Sequence, residues 1–251
     1  MPSKYIQDAI IEQIESYFTD KSISILEISC GDGEILKRLK KLGYTNLTGT
    51  LFGDDQEVFD YTDFDYGDIE IVKNVNLLGT LPFDDSSYDV VFNTELLEHM
   101  ENHRNALTEL ARLVKPEGLL ILETPNIMRL QSRLNFFLTG FHKPRNPFPP
   151  YDKPFIEHLY YHSFPIHLPM MDYFLHHHGM KLHRIRWNKW RIFPVLLYIL
   201  FIPWILLITP LFLRRQSTLN SANKTHLFKL QTHPAILICS VLILTYQKRD
   251  D

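Results

Sequence analysis

The chain is short of the residues that would make it a disulfide scaffold, a zinc protein or a secreted precursor. It has two cysteines in 251 residues. Neither Cys30 nor Cys239 stands in a C-x-x-C or zinc-type spacing, which excludes a disulfide framework and fits a reducing compartment. The N-terminus lacks an apolar run behind a basic start. Instead Ile6, Ala9, Ile10, Ile14, Tyr17 and Phe18 recur on one helical face, which predicts a lead-in helix and no signal peptide. Acidic residues are scarce in one half only. Residues 1–125 carry 10 Lys/Arg and 24 Asp/Glu, residues 126–251 carry 16 and 5, so a net charge of −3 conceals halves of −14 and +11. An acidic first half argues against nucleic acid, and a basic, apolar second half suits an anionic partner such as a membrane surface or a phosphorylated substrate.

What is present centres on residues 25–34, I-L-E-I-S-C-G-D-G-E. An apolar run, small residues and then an apolar stripe (Ile35, Leu36, Leu39, Leu42) ending at Gly43 read as strand, tight turn and helix. Gly31 and Gly33 let backbone N–H groups approach a ligand, and a helix N-terminus presents unpaired donors to it. The dinucleotide fingerprint G-x-G-x-x-G is incomplete, because Leu36 stands where the third glycine belongs. Strands are expected at 47–51, 69–73, 88–93, 119–123, 180–187 and 235–246, with helices at 94–100, 105–114 and 168–178. With 45% hydrophobic residues, the length suits one α/β domain over 1–251.

The turn resembles motif I of class I S-adenosylmethionine (SAM) dependent methyltransferases, with Glu27 as its acid and Ser29 in place of the first glycine. A second resemblance is L-P-F-D-D-S-S-Y-D-V-V at residues 81–91, and a third is Arg112 followed by L-V-K-P-E-G at 113–118. The family implies a Rossmann-like, mostly parallel seven-stranded sheet with helices on both faces and SAM as cofactor. By the same resemblance Glu27 holds the methionine amino group, Ser29, Gly31 and Gly33 form the turn, Asn76 and Leu77 flank adenine, and Asn93 and Glu95 line the methyl end. The pattern departs at Leu51, where the family has the acid that accepts from the ribose hydroxyls; Asp54 or Asp55 is the substitute available.

Glu95, Glu98 and His99 stand at i, i+3 and i+4, on one face of the expected helix, and E-x-x-E-H resembles the magnesium site of small-RNA 2′-O-methyltransferases. The expectation is that these side chains shape the active site without a metal. Residues 127–170, aromatic and rich in proline and histidine, read as a substrate lid, with His158 and His162 as general-base candidates beside Glu98 and His99. The run His176-His177-His178 reads as a solvated helix end. T-P-N at 124–126 followed by Arg129 and Arg133 resembles the branch that accompanies bacterial cell-surface glycan genes.

Residues 192–213 hold no charge, yet Pro194, Pro203 and Pro210 interrupt them. A hairpin or in-plane helix is expected, within an apolar insertion over 192–232. A single crossing would strand the last strand on the far side of the membrane. The expected protein is therefore a methyltransferase, peripheral or monotopic at the cytoplasmic face of the inner membrane, acting on a lipid-linked or cell-surface glycan precursor. The alternatives are a quinone-type O-methyltransferase and a non-catalytic SAM-fold subunit that recruits partners to a membrane.

Overall fold

The computed structural model describes residues 2–52, 64–142, 150–153, 161–187 and 192–250. Seven strands form one sheet: β1 (Ser24–Ile28), β2 (Asn46–Thr50), β3 (Glu70–Val72), β4 (Tyr88–Asn93), β5 (Val114–Pro125), β6 (Met180–Arg186) and β7 (Val241–Lys248). Their order is β3-β2-β1-β4-β5-β7-β6; β1 to β5 run parallel, and β7 is antiparallel to both β5 and β6. The chain winds outward in opposite directions from β1 and β4, so their carboxyl ends flank the crevice where an open α/β sheet binds its ligand. This is the Rossmann-like methyltransferase fold expected from the sequence.

The central strands are continuous apolar runs because helices cover both faces. On one face α1 (Lys4–Tyr17) and α2 (Glu34–Lys41) bury Ile10, Ile14, Leu36 and Leu39 against Ile25, Phe92 and Ile121. On the other, α3 (His103–Leu113) and α5 (Leu168–His177) bury Leu107, Leu110, Met171 and Leu175 against Leu26, Val91 and Leu120. Several sequence signatures turn out to be straps that hold these layers. Arg112 donates to the carbonyls of Phe83 (2.8 Å) and Leu81 (3.1 Å) and to the carboxylates of Asp85 (2.7 Å) and Glu109 (2.7 Å). Asp89 accepts from the Ser24 backbone N–H (2.8 Å), the Ser24 hydroxyl (2.7 Å) and Lys115 (2.8 Å), which locks β1 to β4.

Two local expectations need correction, those for 94–100 and for 235–238, and two other regions become more definite. Residues 94–100 form no α-helix: Glu95 is left-handed (φ 47°) and only Leu97–His99 makes a 3-10 turn. The reason is the left-handed backbone at Glu95, which the Glu123 carboxylate holds in place by accepting its N–H at 2.7 Å. Glu95, Glu98 and His99 therefore share no helix face. Within the expected lid, Leu130–Thr139 is a helix, α4, closed by left-handed Gly140 (φ 75°). The hairpin alternative for 192–213 gives way to one continuous helix, α6 (Ile192–Arg214), with Pro203 and Pro210 inside it. Residues 235–238 are not strand: after α7 (Ser221–Thr232), Pro234 opens the short helix α8 (Pro234–Ile238), whose Ala235 N–H donates to the His233 ring at 3.2 Å.

β6 and β5 both run antiparallel to β7, so β6 ends and β7 begins at the carboxyl end of the parallel strands; Arg186 stands opposite Ile243 and Pro125 opposite Val241. Helices α6, α7 and α8 therefore leave and rejoin the sheet at the end that carries the crevice, and α4 follows β5 from that same end.

Candidate active site

The turn after β1 is held open by its backbone. Ser29, Gly31 and Gly33 all have positive φ (57°, 55° and 67°). The Ser29 N–H donates to the Thr50 hydroxyl (3.0 Å), the Cys30 N–H to the Thr50 carbonyl (2.9 Å), and the Gly33 N–H to the Cys30 carbonyl (2.9 Å). A Cβ at Gly31 would meet nothing within 4 Å, which leaves open space beside that backbone; a Cβ at Gly33 would come 2.9 Å from the Tyr66 ring. Tyr66 also donates its hydroxyl to the Gly31 carbonyl at 2.5 Å. Neither Thr50 nor Tyr66 was legible as a site residue, because each acts across strands that sequence spacing does not relate.

Beyond this turn lie polar groups that the fold buries without satisfying. Glu27 is 2% exposed and its Oε2 has no partner; Asn93 is fully buried and neither its Oδ1 nor its Nδ2 has one. They come from neighbouring strands at the same level, Glu27 opposite Phe92 and Ile28 opposite Asn93. Burial pushes the Glu27 carboxyl well above the ordinary range, with the Asp32 charge adding to it. Buried polar atoms are normally paired, so an orphaned carboxylate oxygen and a whole orphaned amide in one crevice mark the seat of something absent from the chain itself. A ligand with an ammonium group and further polar atoms fits this lining.

On the acceptor side the 161–167 segment runs beside the 3-10 turn. The Phe164 N–H donates to the Glu98 carbonyl (3.0 Å), and His99 Nδ1 donates to the Tyr161 carbonyl (2.9 Å). Because a carbonyl can only accept, Nδ1 carries the proton and neutral His99 has its lone pair on Nε2. His162 stands edge-on to His99, ring centroids 5.0 Å apart, with its Nε2 4.0 Å from the Glu98 carboxylate. Glu98 is fully buried and its carboxyl is pushed up to about 8, by burial first and by the Glu95 charge. Glu123, buried on β5, is likewise raised by burial and then by Glu98. One ligand atom each from Glu98, His99 and His162 lie within 4.8 Å of one another, a spacing that can hold a divalent cation.

The structure thus gathers Glu27, Ser29, Gly31, Gly33 and Asn93 on one side and Glu98, His99 and His162 on the other. Glu95 is exposed at the rim. Asn76 is exposed and turns its Oδ1 back on the Leu78 N–H (2.9 Å), while Leu77 is buried in the core. Asp54, Asp55 and His158 lie outside the described residues. Glu123 went unnoticed in the sequence, since it reads as the polar end of a strand.

A family model described as a methyltransferase domain matches residues 3–172. The chain belongs to that methyltransferase domain family. Its fold and family make it a class I SAM-dependent methyltransferase domain, with S-adenosylmethionine as cofactor. The orphaned polar atoms of Glu27 and Asn93 suit that cofactor's ammonium and polar groups. Among curated proteins the domain is 33% identical over 120 residues to the ubiquinone biosynthesis O-methyltransferase of Rickettsia bellii, covering 47% of this chain and 48% of that one. It is 33% identical over 107 residues to the protein of the same name from Maricaulis maris, covering 42% of each. The chain spans about half the length of the curated relatives it matches. The SAM-dependent methyltransferase structure from Archaeoglobus fulgidus superposes over 98% of this chain and 95% of its own with a TM-score of 0.54 and 16% identity, a likeness of fold.

Proposed function

We propose that the chain transfers a methyl group from SAM to a hydroxyl oxygen on a lipid-borne ring of the quinol type. The observation that carries the transfer is the pair of orphaned polar side chains, Glu27 and Asn93, beside the open glycine turn of a methyltransferase domain. Bound SAM supplies a methyl group on a sulfonium, already a good leaving group. The protein's part is then alignment and proton removal. Glu27 is suited to the amino end of the cofactor, and Asn93 to the neighbouring polar atoms. A hydroxyl that accepts a methyl must lose its proton, and His99 Nε2, whose tautomer the Tyr161 carbonyl fixes, is the base the geometry offers. His162 and Glu98 stand behind it. A buried Glu98 that stays protonated near neutrality adds no negative charge beside a departing proton's oxygen.

The ring acceptor is supported by the names of the relatives, which are ubiquinone biosynthesis O-methyltransferases. The glycan acceptor rests on T-P-N, Arg129 and Arg133, and two of these residues, Asn126 and Arg133, have structural tasks. Asn126 Nδ2 donates to the carbonyls of Ile236 (2.7 Å) and Cys239 (2.8 Å), and Arg133 donates to the Met128 carbonyl (2.6 Å) and to Gln231 (3.2 Å). A second reading of the acceptor side is favoured by the closeness of the Glu98, His99 and His162 ligand atoms. A divalent cation held there would lower the pKa of a coordinated hydroxyl.

Calorimetry with SAM and a radiolabelled methyl-transfer assay on membrane lipid extracts test the proposal together. Label is expected in a ring-bearing lipid, and His99→Ala is expected to lose turnover while SAM still binds. No SAM binding at millimolar cofactor would refute the enzyme reading, and label in a glycan lipid would refute the ring. Turnover abolished by EDTA and restored by magnesium would choose the cation over the histidine base.

A further inference from the structure

Residues 187–240, between β6 and β7, contain six Lys/Arg and no Asp/Glu. Their longest element, α6, has no charged residue before Arg214 and is apolar on every side. Only Pro194, Leu197 and Leu213 of its residues are buried. Twelve of its large apolar side chains are exposed, among them Phe193, Leu200, Trp204, Leu207, Leu211 and Phe212. The surface continues onto the end of α4 and just past it, where Phe136, Phe137, Leu138 and Phe141 are exposed too. An apolar patch of this extent on a water-facing surface marks a partner.

We propose that α6 and the neighbouring end of α4 insert into one leaflet of an anionic lipid bilayer, with α6 lying in the membrane plane. Three observations choose this occupant and this pose. A helix of 23 residues is about 35 Å long, enough to cross, but the insertion that carries it leaves from β6 and rejoins at β7, adjacent strands of one sheet at the same edge. A crossing would oblige α7 to span the bilayer on the way back. α7 returns along α6 and carries Lys224, Lys229 and Asn220 at its cap, groups that a transmembrane pose would draw into hydrocarbon. Pro203 and Pro210 each lack an N–H, so the carbonyls of Ile199 and Leu206 lose their helical donors. Such carbonyls need another donor, and the hydrated boundary of a leaflet supplies water where its centre does not. The inner side of α6 is already occupied, because Leu197, Tyr198, Ile202 and Ile205 pack with Leu130 of α4 and Leu237 of α8. The remaining sides face lipid. Exposed Arg214, Arg215 and Lys229, with no acid nearby in the sequence, select anionic headgroups over neutral ones.

The surface lies at the carboxyl end of the sheet, so a membrane beneath it borders the crevice. Membrane binding stands on α6 alone and does not depend on the methyl-transfer reading, whose failure would show in SAM calorimetry instead.

Purified full-length protein is mixed with phosphatidylcholine vesicles with and without phosphatidylglycerol and sedimented. Binding is expected to the anionic vesicles, and the double variant Leu200→Glu/Leu207→Glu is expected to bind them at least about tenfold more weakly with an unchanged melting temperature. Both side chains are exposed, so the fold does not depend on them. Lipids brominated near the headgroup are expected to quench tryptophan fluorescence more than lipids brominated at the chain ends, with the effect lost in Trp204→Phe. Protein that ignores both vesicle types, or that forms a dimer which the double variant dissociates, would overturn the proposal in favour of a protein interface. Deeper quenching at the chain ends would overturn the in-plane pose.

Discussion

The two halves of the carboxyl edge break the ordinary rule of burial in opposite directions. At the ends of β1, β4 and β5 the fold buries polar atoms and leaves them unpaired: Glu27, Asn93 and Glu98. A few turns of helix away, α6 exposes Phe193, Trp204 and Leu211 and leaves them uncovered. Each defect is costly in isolation, and each becomes favourable with the right complement, a polar cation in the first case and an apolar medium in the second. The difference also sets what mutation does. In the crevice, removing the offending group should harm binding and not folding, whereas the contacts that join the two regions are satisfied and should behave as stabilising ones.

The largest effect is expected at that join. Asn126 is buried, donates to the Ile236 and Cys239 carbonyls and accepts from the Met128 N–H at 2.9 Å. Asn126→Ala leaves three buried backbone groups unsatisfied and should cost about 3 kcal/mol in urea unfolding. A loss within experimental error would mean that α8 is not anchored to β5. Next comes Glu98, whose carboxyl is raised from 4.5 to about 8 in the fold. A raised folded pKa means that stability is fully present below the unfolded value and is lost as pH rises through the folded one. In EDTA, the stability of Glu98→Gln relative to the natural protein should therefore grow between pH 5 and pH 8, by on the order of 3 kcal/mol. A pH-independent difference would show that Glu98 is ionised throughout.

Glu27→Gln should weaken SAM binding about thirtyfold, the worth of a charge-assisted hydrogen bond, while leaving the melting temperature of the free protein unchanged or higher. Burial raises the free carboxyl, with the Asp32 charge adding to it, and a cationic ligand favours its charged form, so SAM binding should be coupled to proton release. Calorimetry in buffers of different ionisation enthalpy reads that release, and the glutamine variant should lose it. Lower stability with intact affinity would make Glu27 a core residue and dissolve the contrast between the two regions.

Much of the frame was readable from residue order. Apolar runs buried on both faces gave β1 and β4, the stripe Leu36–Leu39 gave α2, and the glycine turn between them marked the cofactor end. What failed was local structure decided by distant partners. The 94–100 segment has helical spacing, but the backbone turns left-handed at Glu95 and a carboxylate from β5 pins its N–H there. The 235–238 segment is apolar enough for a strand, yet Pro234 and the His233 ring start a helix. Asn126 in the T-P-N run holds α8 through two carbonyls more than a hundred residues away, a task that the run itself does not announce. His162 was singled out for its neighbourhood alone; its approach to Glu98 depends on the 161–164 strip bonding the 3-10 turn, which no spacing in the sequence encodes.

The smallest effect concerns how firmly the insertion is fastened to the domain. His226 on α7 meets Asp172 on α5 with Nε2 2.7 Å from Oδ2, and Asp172 is 8% exposed while His226 is half exposed. Such a bond between a buried acceptor and a half-solvated donor is worth about 1 kcal/mol or less, because water can replace the imidazole. His226→Ala should thus lower global stability by that amount at most. Its larger consequence is local: amide exchange in α7 should quicken, since α7 buries only Leu230. Exchange in β1 and β4, and SAM affinity, should stay as they were. Were exchange to quicken equally in the central strands, the insertion and the sheet would be one cooperative unit, and the separate roles drawn for the two ends of this edge would not hold.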